Sequence, residues 1–204
     1  MQSLRKDLLT TQRGRVSSRI VKPDSPQRAE TEAFIKAVFA RHYDARVNSF
    51  APNLVRFEQD ERTVAAAGWR SADQEPLFLE RYLDQPVEQA IGQQAGREIS
   101  RARIVEVGNL ATTRNGSSLH VIVNLAREFD HLGYEWVVFT ATRELVSVFS
   151  RLGLPLLALS KADPARLGDE AWQWGSYYDQ NPIVVAGLIQ LAATRLQKQA
   201  GMST

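Results

Sequence analysis

A single carboxylate, Glu106, interrupts the apolar run Arg103–Leu110 (RIVEVGNL), and a polar turn, Thr113-Arg114-Asn115-Gly116-Ser117-Ser118, follows it closely. A carboxylate inside an apolar strand is costly unless it is paired or used. Burial also raises its pKa towards the range of a general base. Glu106 is therefore a candidate base. The competing reading is a carboxylate that faces outward or pairs with Arg70, Arg101 or Arg103. In the turn, Gly116, Ser117 and Ser118 leave room for backbone N–H groups to converge on an anion at a helix start, and Arg114 adds a positive charge. The anion that suits such a turn is a phosphate or pyrophosphate, and the bearer expected here is an acyl-CoA or an acyl-carrier phosphopantetheine. The same residues also serve simply to cap and turn.

Further candidates stand apart from this stretch. Arg70 ends a strand of small residues, Ala65-Ala66-Ala67-Gly68, and Glu80 sits inside LFLERYL. Each is placed to orient an amine or carboxylate acceptor, or to make an ordinary surface ion pair. Asn109 offers a polar contact to a pantetheine arm. Trp172, Trp174, Tyr177 and Tyr178 form either a pocket wall or a packed loop. His120 follows the glycine turn, whereas His42 and His131 fall at helix ends.

Periodicity predicts the elements that must position these residues. Helices are expected over Ala29–Tyr43, Val87–Ile91, Ser118–Leu132, Arg143–Leu152 and Ile183–Gln199. Thr142 is expected to cap the fourth, and Gly133 and Gly153 to end the third and fourth. Strands are expected over Leu54–Gln59 and Thr63–Arg70, joined as a hairpin by Asp60-Glu61-Arg62, and over Arg103–Leu110, Glu135–Ala141 and Leu154–Leu159. Gln93–Arg101 reads as a loop and residues 160–182 as an ordered aromatic loop. Residues 1–28 read as a basic, partly ordered leader, although Ile20-Val21 also fits a short strand. Residues 29–204 read as one α/β domain with a mixed, twisted sheet of six or seven strands and helices on both faces.

Composition narrows the function. The chain has 204 residues, 44% hydrophobic and 24% charged, which suits one soluble core. A net charge of +2 gives no argument for nucleic acid. Cysteine is absent, so disulfides, thiolate nucleophiles and zinc–thiolate sites are excluded. Three dispersed histidines point to no metal. No apolar run approaches the roughly 20 residues that span a bilayer, and the N-terminus lacks a signal-peptide pattern. A cytoplasmic protein is expected.

Two resemblances follow from these residues. The order strand, glycine turn, helix, strand, helix, strand resembles the acyl-CoA-binding core of the GNAT acyltransferase superfamily. Aligned on Gly116, the turn shares the superfamily's central glycine but not its flanking positions. Phe149 stands where that superfamily often has a tyrosine acid. The segments FIKAVFARHYDARVNSFAPNLV, LFLERYLDQPVEQAI, IVEVGNLA, GYEWVVFTAT, LGLPLLALSKADPARL and WGSYYDQNPIVVAG resemble the thermostable haemolysin family. Its LERYL and VEVGNLA layout is also similar to acyl-homoserine-lactone and N-acyl amino acid synthases. The resemblance implies a GNAT-like fold and transfer of an acyl group from CoA or an acyl carrier protein to a small-molecule amine. Glu106 would serve as base, Asn109, Arg114, Gly116, Ser117 and Ser118 would hold the donor, and Arg70 and Glu80 would orient the acceptor. The strands would splay around Val107 to Asn109 to admit the pantetheine. The family name implies instead a membrane-active cytolysin; a lytic lipid product would reconcile name and fold. A non-catalytic acyl-ligand module is the third reading.

Overall fold

The computed structural model describes residues 16–113 and 117–201. Seven strands form one sheet in the order β1-β2-β3-β4-β5-β7-β6. They are β1 (Ser17–Val21), β2 (Asn53–Gln59), β3 (Arg62–Ser71), β4 (Ile104–Thr112), β5 (Trp136–Ala141), β6 (Leu156–Lys161) and β7 (Ile183–Leu188). Only the β4–β5 pair is parallel. The helices are α1 (Arg28–Tyr43), α2 (Val87–Ala95), α3 (Ser117–His131), α4 (Arg143–Arg151) and α5 (Ile189–Gly201).

Local chemistry explains several boundaries. Asp60 and Glu61 both take positive φ, 51° and 63°, which gives the β2–β3 hairpin a two-residue turn matched to strand twist. The Thr142 hydroxyl accepts the Leu145 amide and starts α4. Gly133 and Gly153 follow α3 and α4 with positive φ.

Three expectations change. Ser17–Val21 is an edge strand paired antiparallel with β2, so part of the basic leader belongs to the sheet. Ile183–Leu188 is a strand, not the start of a helix: β7 lies between β5 and β6 and is covered on both sides, which leaves it no polar alternation. Residues 160–182 contain a long 3₁₀ segment, Pro164–Gln180, kinked at Gly168 and Gly175. Shorter 3₁₀ turns cover Phe78–Tyr82 and Arg101–Arg103.

The sheet carries two layers. On one face, α3, α4 and α5 pack through Val121, Leu125, Phe129, Phe149, Ile189 and Ala192. The other face is covered by α1, α2 and the 3₁₀ segments through Ile35, Phe39, Leu79, Tyr82 and Leu167. No helix among the described residues is long and apolar enough to cross a membrane.

Candidate functional site

The parallel pair β4–β5 is joined only at Ile104–Trp136, Val105–Val137 and Glu106–Val138. Beyond Glu106 the two strands part. β5 continues to Ala141 against β7, and β4 continues to Thr112 against β3. A bulge drives the separation: Ala66 faces Ala111 and Gly68 faces Gly108, so Asn109 and Leu110 together oppose Ala67. Asn109 takes a left-handed φ of 52°. Its side chain accepts the Ala51 amide and donates to the Ser49 carbonyl, both at 3.2 Å. Asn109 thus holds the bulge in place as well as facing the gap.

A cavity of about 370 Å³ occupies this gap and reaches both faces of the sheet. On the α3 side its wall is aliphatic and aromatic, with Val121, Leu125, Phe129, Leu145, Phe149 and Ala192. On the other side it is an aromatic chamber of Tyr43, Phe78, Tyr82, Trp174, Tyr177 and Tyr178, with Arg70 and Glu106 at one end. The expected aromatic cluster therefore divides: Trp174, Tyr177 and Tyr178 line the cavity, whereas Trp172 is 61% exposed beneath Arg46. Gly108 lines the cavity too, and a Cβ built on it meets nothing within 4 Å among the described residues.

Glu106 is buried, at 6% exposure. Its Oε1 accepts the Leu79 amide and its Oε2 the Phe78 amide, both at 2.9 Å. Arg70 Nε lies 3.2 Å from Oε2, close enough for an ion pair but not aligned as a hydrogen bond. Burial pushes the Glu106 carboxyl above its ordinary value, against the pull of Arg70 and the two amides. The Arg70–Glu106 partnership, one of the sequence alternatives, is present. The amide bonds from Phe78 and Leu79 had no sequence signal, because they join positions 27 and 28 residues apart.

Glu80 does not line the cavity. Arg101 grips both its oxygens, at 2.6 and 2.7 Å, and the Leu77 and Val87 amides also donate to it. Burial alone would raise its pKa; the Arg101 bonds and the two amides outweigh that and hold it below the ordinary value. Its oxygens brace the turn that carries Phe78 and Leu79, which is the ion-pair alternative of the sequence reading. Arg114 and Gly116 lie outside the described residues. Ser117 opens α3 and Ser118 is in its first turn.

Tyrosine hydroxyls add further polar groups to the site. Tyr177 donates to Thr140 at 3.0 Å, and Thr140 stands on β5 past the last β4 contact. The Tyr82 and Tyr178 hydroxyls are 2.5 Å apart. Burial raises the pKa of all three, so they stay protonated hydrogen-bond donors at neutral pH.

The thermostable hemolysin family model matches residues 21–193. The chain belongs to that family. No curated protein sequence matches it. Solved structures place this thermostable hemolysin family member among GNAT-like folds. The acyl-homoserine lactone synthase LasI superposes with a TM-score of 0.59 at 14% identity, over 88% of this chain and 95% of that one. BjaI, a CoA-dependent acyl-homoserine lactone synthase solved with SAM and isopentyl-CoA, gives 0.62 at 12%, over 93% and 92%. FeeM, an N-acyl amino acid synthase from uncultured soil microbes, gives 0.54 at 12%, over 85% and 89%. At these identities the likeness concerns the fold.

Proposed function

We propose that the protein moves an acyl group from a phosphopantetheine thioester, on CoA or an acyl carrier protein, to an amine. The observation that carries this reading is the cavity that passes through the sheet where β4 and β5 part. A flexible thioester arm fits such a passage, and a folded ligand does not. The three superposing proteins are named for joining acyl groups to amines, which supports the same class here.

In this reading the turn at Arg114, Gly116, Ser117 and Ser118 holds the pyrophosphate at the start of α3. The pantetheine passes Val107–Asn109, and the aliphatic lobe under α3 and α4 accepts the apolar chain. Backbone amides near Gly108–Leu110 stabilise the oxyanion. The amine nitrogen attacks the thioester carbonyl: a C–N bond forms, the C–S bond breaks, and the thiolate leaves and takes a proton. The nitrogen loses one proton, which Glu106 accepts directly or through a water it positions. Arg70 orients the acceptor beside it. No metal is required for these steps.

The test is thiol release from acyl-CoAs and acyl-carrier thioesters of several chain lengths, with a pool of amines. Release that depends on the amine is expected. Tight acyl-CoA binding with no release from any donor would leave a ligand-binding module. Haemoglobin release by purified, lipid-free protein without donor would favour a direct cytolysin.

A further inference from the structure

Tyr82 and Tyr178 line not one space but two. They bound the large cavity and also an open cleft beside it, where β5, β6 and β7 reach the same end of the sheet. The cleft's charged groups are Arg143, Lys161, Arg166 and Asp163. Two of these are already engaged. Arg166 is ion-paired with Asp84, and Asp163 accepts the Ala165 amide at 2.9 Å. Arg143 and Lys161 are not: no carboxylate among the described residues lies within 4.0 Å of either. Two cations without an ion pair thus share a concave surface with one carboxylate, Asp163, so beyond the Arg166–Asp84 pair the cleft keeps a net positive charge and gains when an anion enters.

The tyrosine pair adds a directional group at the junction. Whichever ring donates, one of the two hydroxyl hydrogens remains free for a ligand. A molecule seated in the cleft therefore meets cations at one end and a hydroxyl donor at the other. Past that donor lies the aromatic chamber with Glu106 and Arg70.

We infer that this cleft seats an anionic group of the acceptor, so that the acceptor is an amine bearing a carboxylate or a phosphate. The amine end passes Tyr82 and Tyr178 to reach Glu106, and the anionic end stays with Arg143 and Lys161. A simple protonated amine would be repelled by those cations, whereas a zwitterion is oriented by them. The acceptor role rests on the acyl-transfer reading; the anion site does not.

The experiment keeps the two apart. With an acyl-CoA donor, thiol release is compared for a pool of α-amino acids, the corresponding amino-acid amides, and 2-aminoethyl phosphate. Arg143 and Lys161 are both exposed, so an R143Q/K161Q variant should fold. The anionic amines should react at least about tenfold faster than the amides, and the variant should need about tenfold more anionic acceptor for half-maximal rate, with half-saturation by acyl-CoA unchanged. Preference for the phosphate or the carboxylate arm identifies the anion. Amides as good as acids, or a variant with unchanged acceptor demand, would overturn the inference. If no acceptor releases thiol, inorganic phosphate is titrated while the amide signals of Ser147, Ser160 and Lys161 are followed by NMR. Shifts lost in the variant would uphold the anion site while the acyl-transfer reading falls. Absent shifts, or shifts equal in the variant, would sink the site itself.

Discussion

The Leu79 amide donates to Glu106 Oε1 at 2.9 Å, tying the 3₁₀ turn to the strand at the last rung that β4 shares with β5. Glu106 is thus both a cap for that turn and the last residue of β4 that pairs with β5. Replacing it by Gln removes a buried charge, which helps folding, and sets an NH₂ group against one amide donor, which hurts. The two effects oppose each other, so Glu106→Gln should fold, within about 1–2 kcal/mol of wild type at pH 7 by urea titration. Donor binding should persist while amine-dependent thiol release slows by about 100-fold or more. Equal release would remove Glu106 from the mechanism. Because the folded-state pKa is raised, wild-type stability relative to the variant is greatest below the ordinary value of 4.5 and declines as pH rises through the folded value.

Glu80 has the opposite linkage. Its pKa is lowered in the folded state, so its stabilising effect is present above 4.5 and is lost as pH falls through the folded value. Glu80→Gln should therefore be less stable than wild type at pH 7 and approach it at pH 3.5, measured as urea midpoints. A double-mutant cycle with Arg101→Gln should show coupling at pH 7 that shrinks on acidification. A gap that widens in acid would contradict the Arg101 clamp.

Gly175 fixes the aromatic segment to the end of α1. It adopts φ 52° and ψ −130°, a conformation open to glycine alone, and a Cβ there would sit 2.0 Å from the Tyr43 carbonyl. Nearby, the Arg46 amide donates to the Gln173 carbonyl at 2.6 Å. Gly175→Ala should cost about 3 kcal/mol or more. It should also weaken near-ultraviolet dichroism from Trp174, which packs against Tyr177 and Phe78. An unchanged melting temperature would show that the segment is not anchored there.

Much of this arrangement was legible in the sequence because it is local. Helix periodicity, the Thr142 cap and the Asp60-Glu61 turn each depend on neighbours, and each formed where expected, to within a few residues. The carboxylate in RIVEVGNL signalled Glu106, and its pairing with Arg70 was among the alternatives. β7 was misread because IVVAGL runs straight into IQLAATRL, and a strand buried on both faces has the same continuous apolarity as a buried helix. An ion pair was one of the two readings of Glu80, but its partner had no sequence signal, because Arg101 lies 21 residues away and no local rule pairs them. The splay between β4 and β5 came from the GNAT-like resemblance rather than from any feature of residues 107–109 themselves.

Two glycines face each other across the β3–β4 ladder, and they should respond oppositely to a side chain. At Gly68 a Cβ would lie 2.9 Å from the Ala51 Cβ, 3.0 Å from Asn109 Oδ1 and 3.2 Å from Leu54 Cδ2. Gly68→Ala should thus strain the bulge and cost about 1–3 kcal/mol. At Gly108 the same atom meets nothing within 4 Å among the described residues, and it projects into the cavity. A β-branched residue there suits an extended strand, so Gly108→Val should leave stability unchanged or raise it by about 0.5–1 kcal/mol. The added methyl groups would instead occupy the passage between β4 and β5. Binding of long-chain acyl-CoA, followed by calorimetry, should fall by at least about tenfold while the melting temperature holds. Undiminished binding in a stably folded Gly108→Val protein would mean that the acyl donor does not pass between these strands.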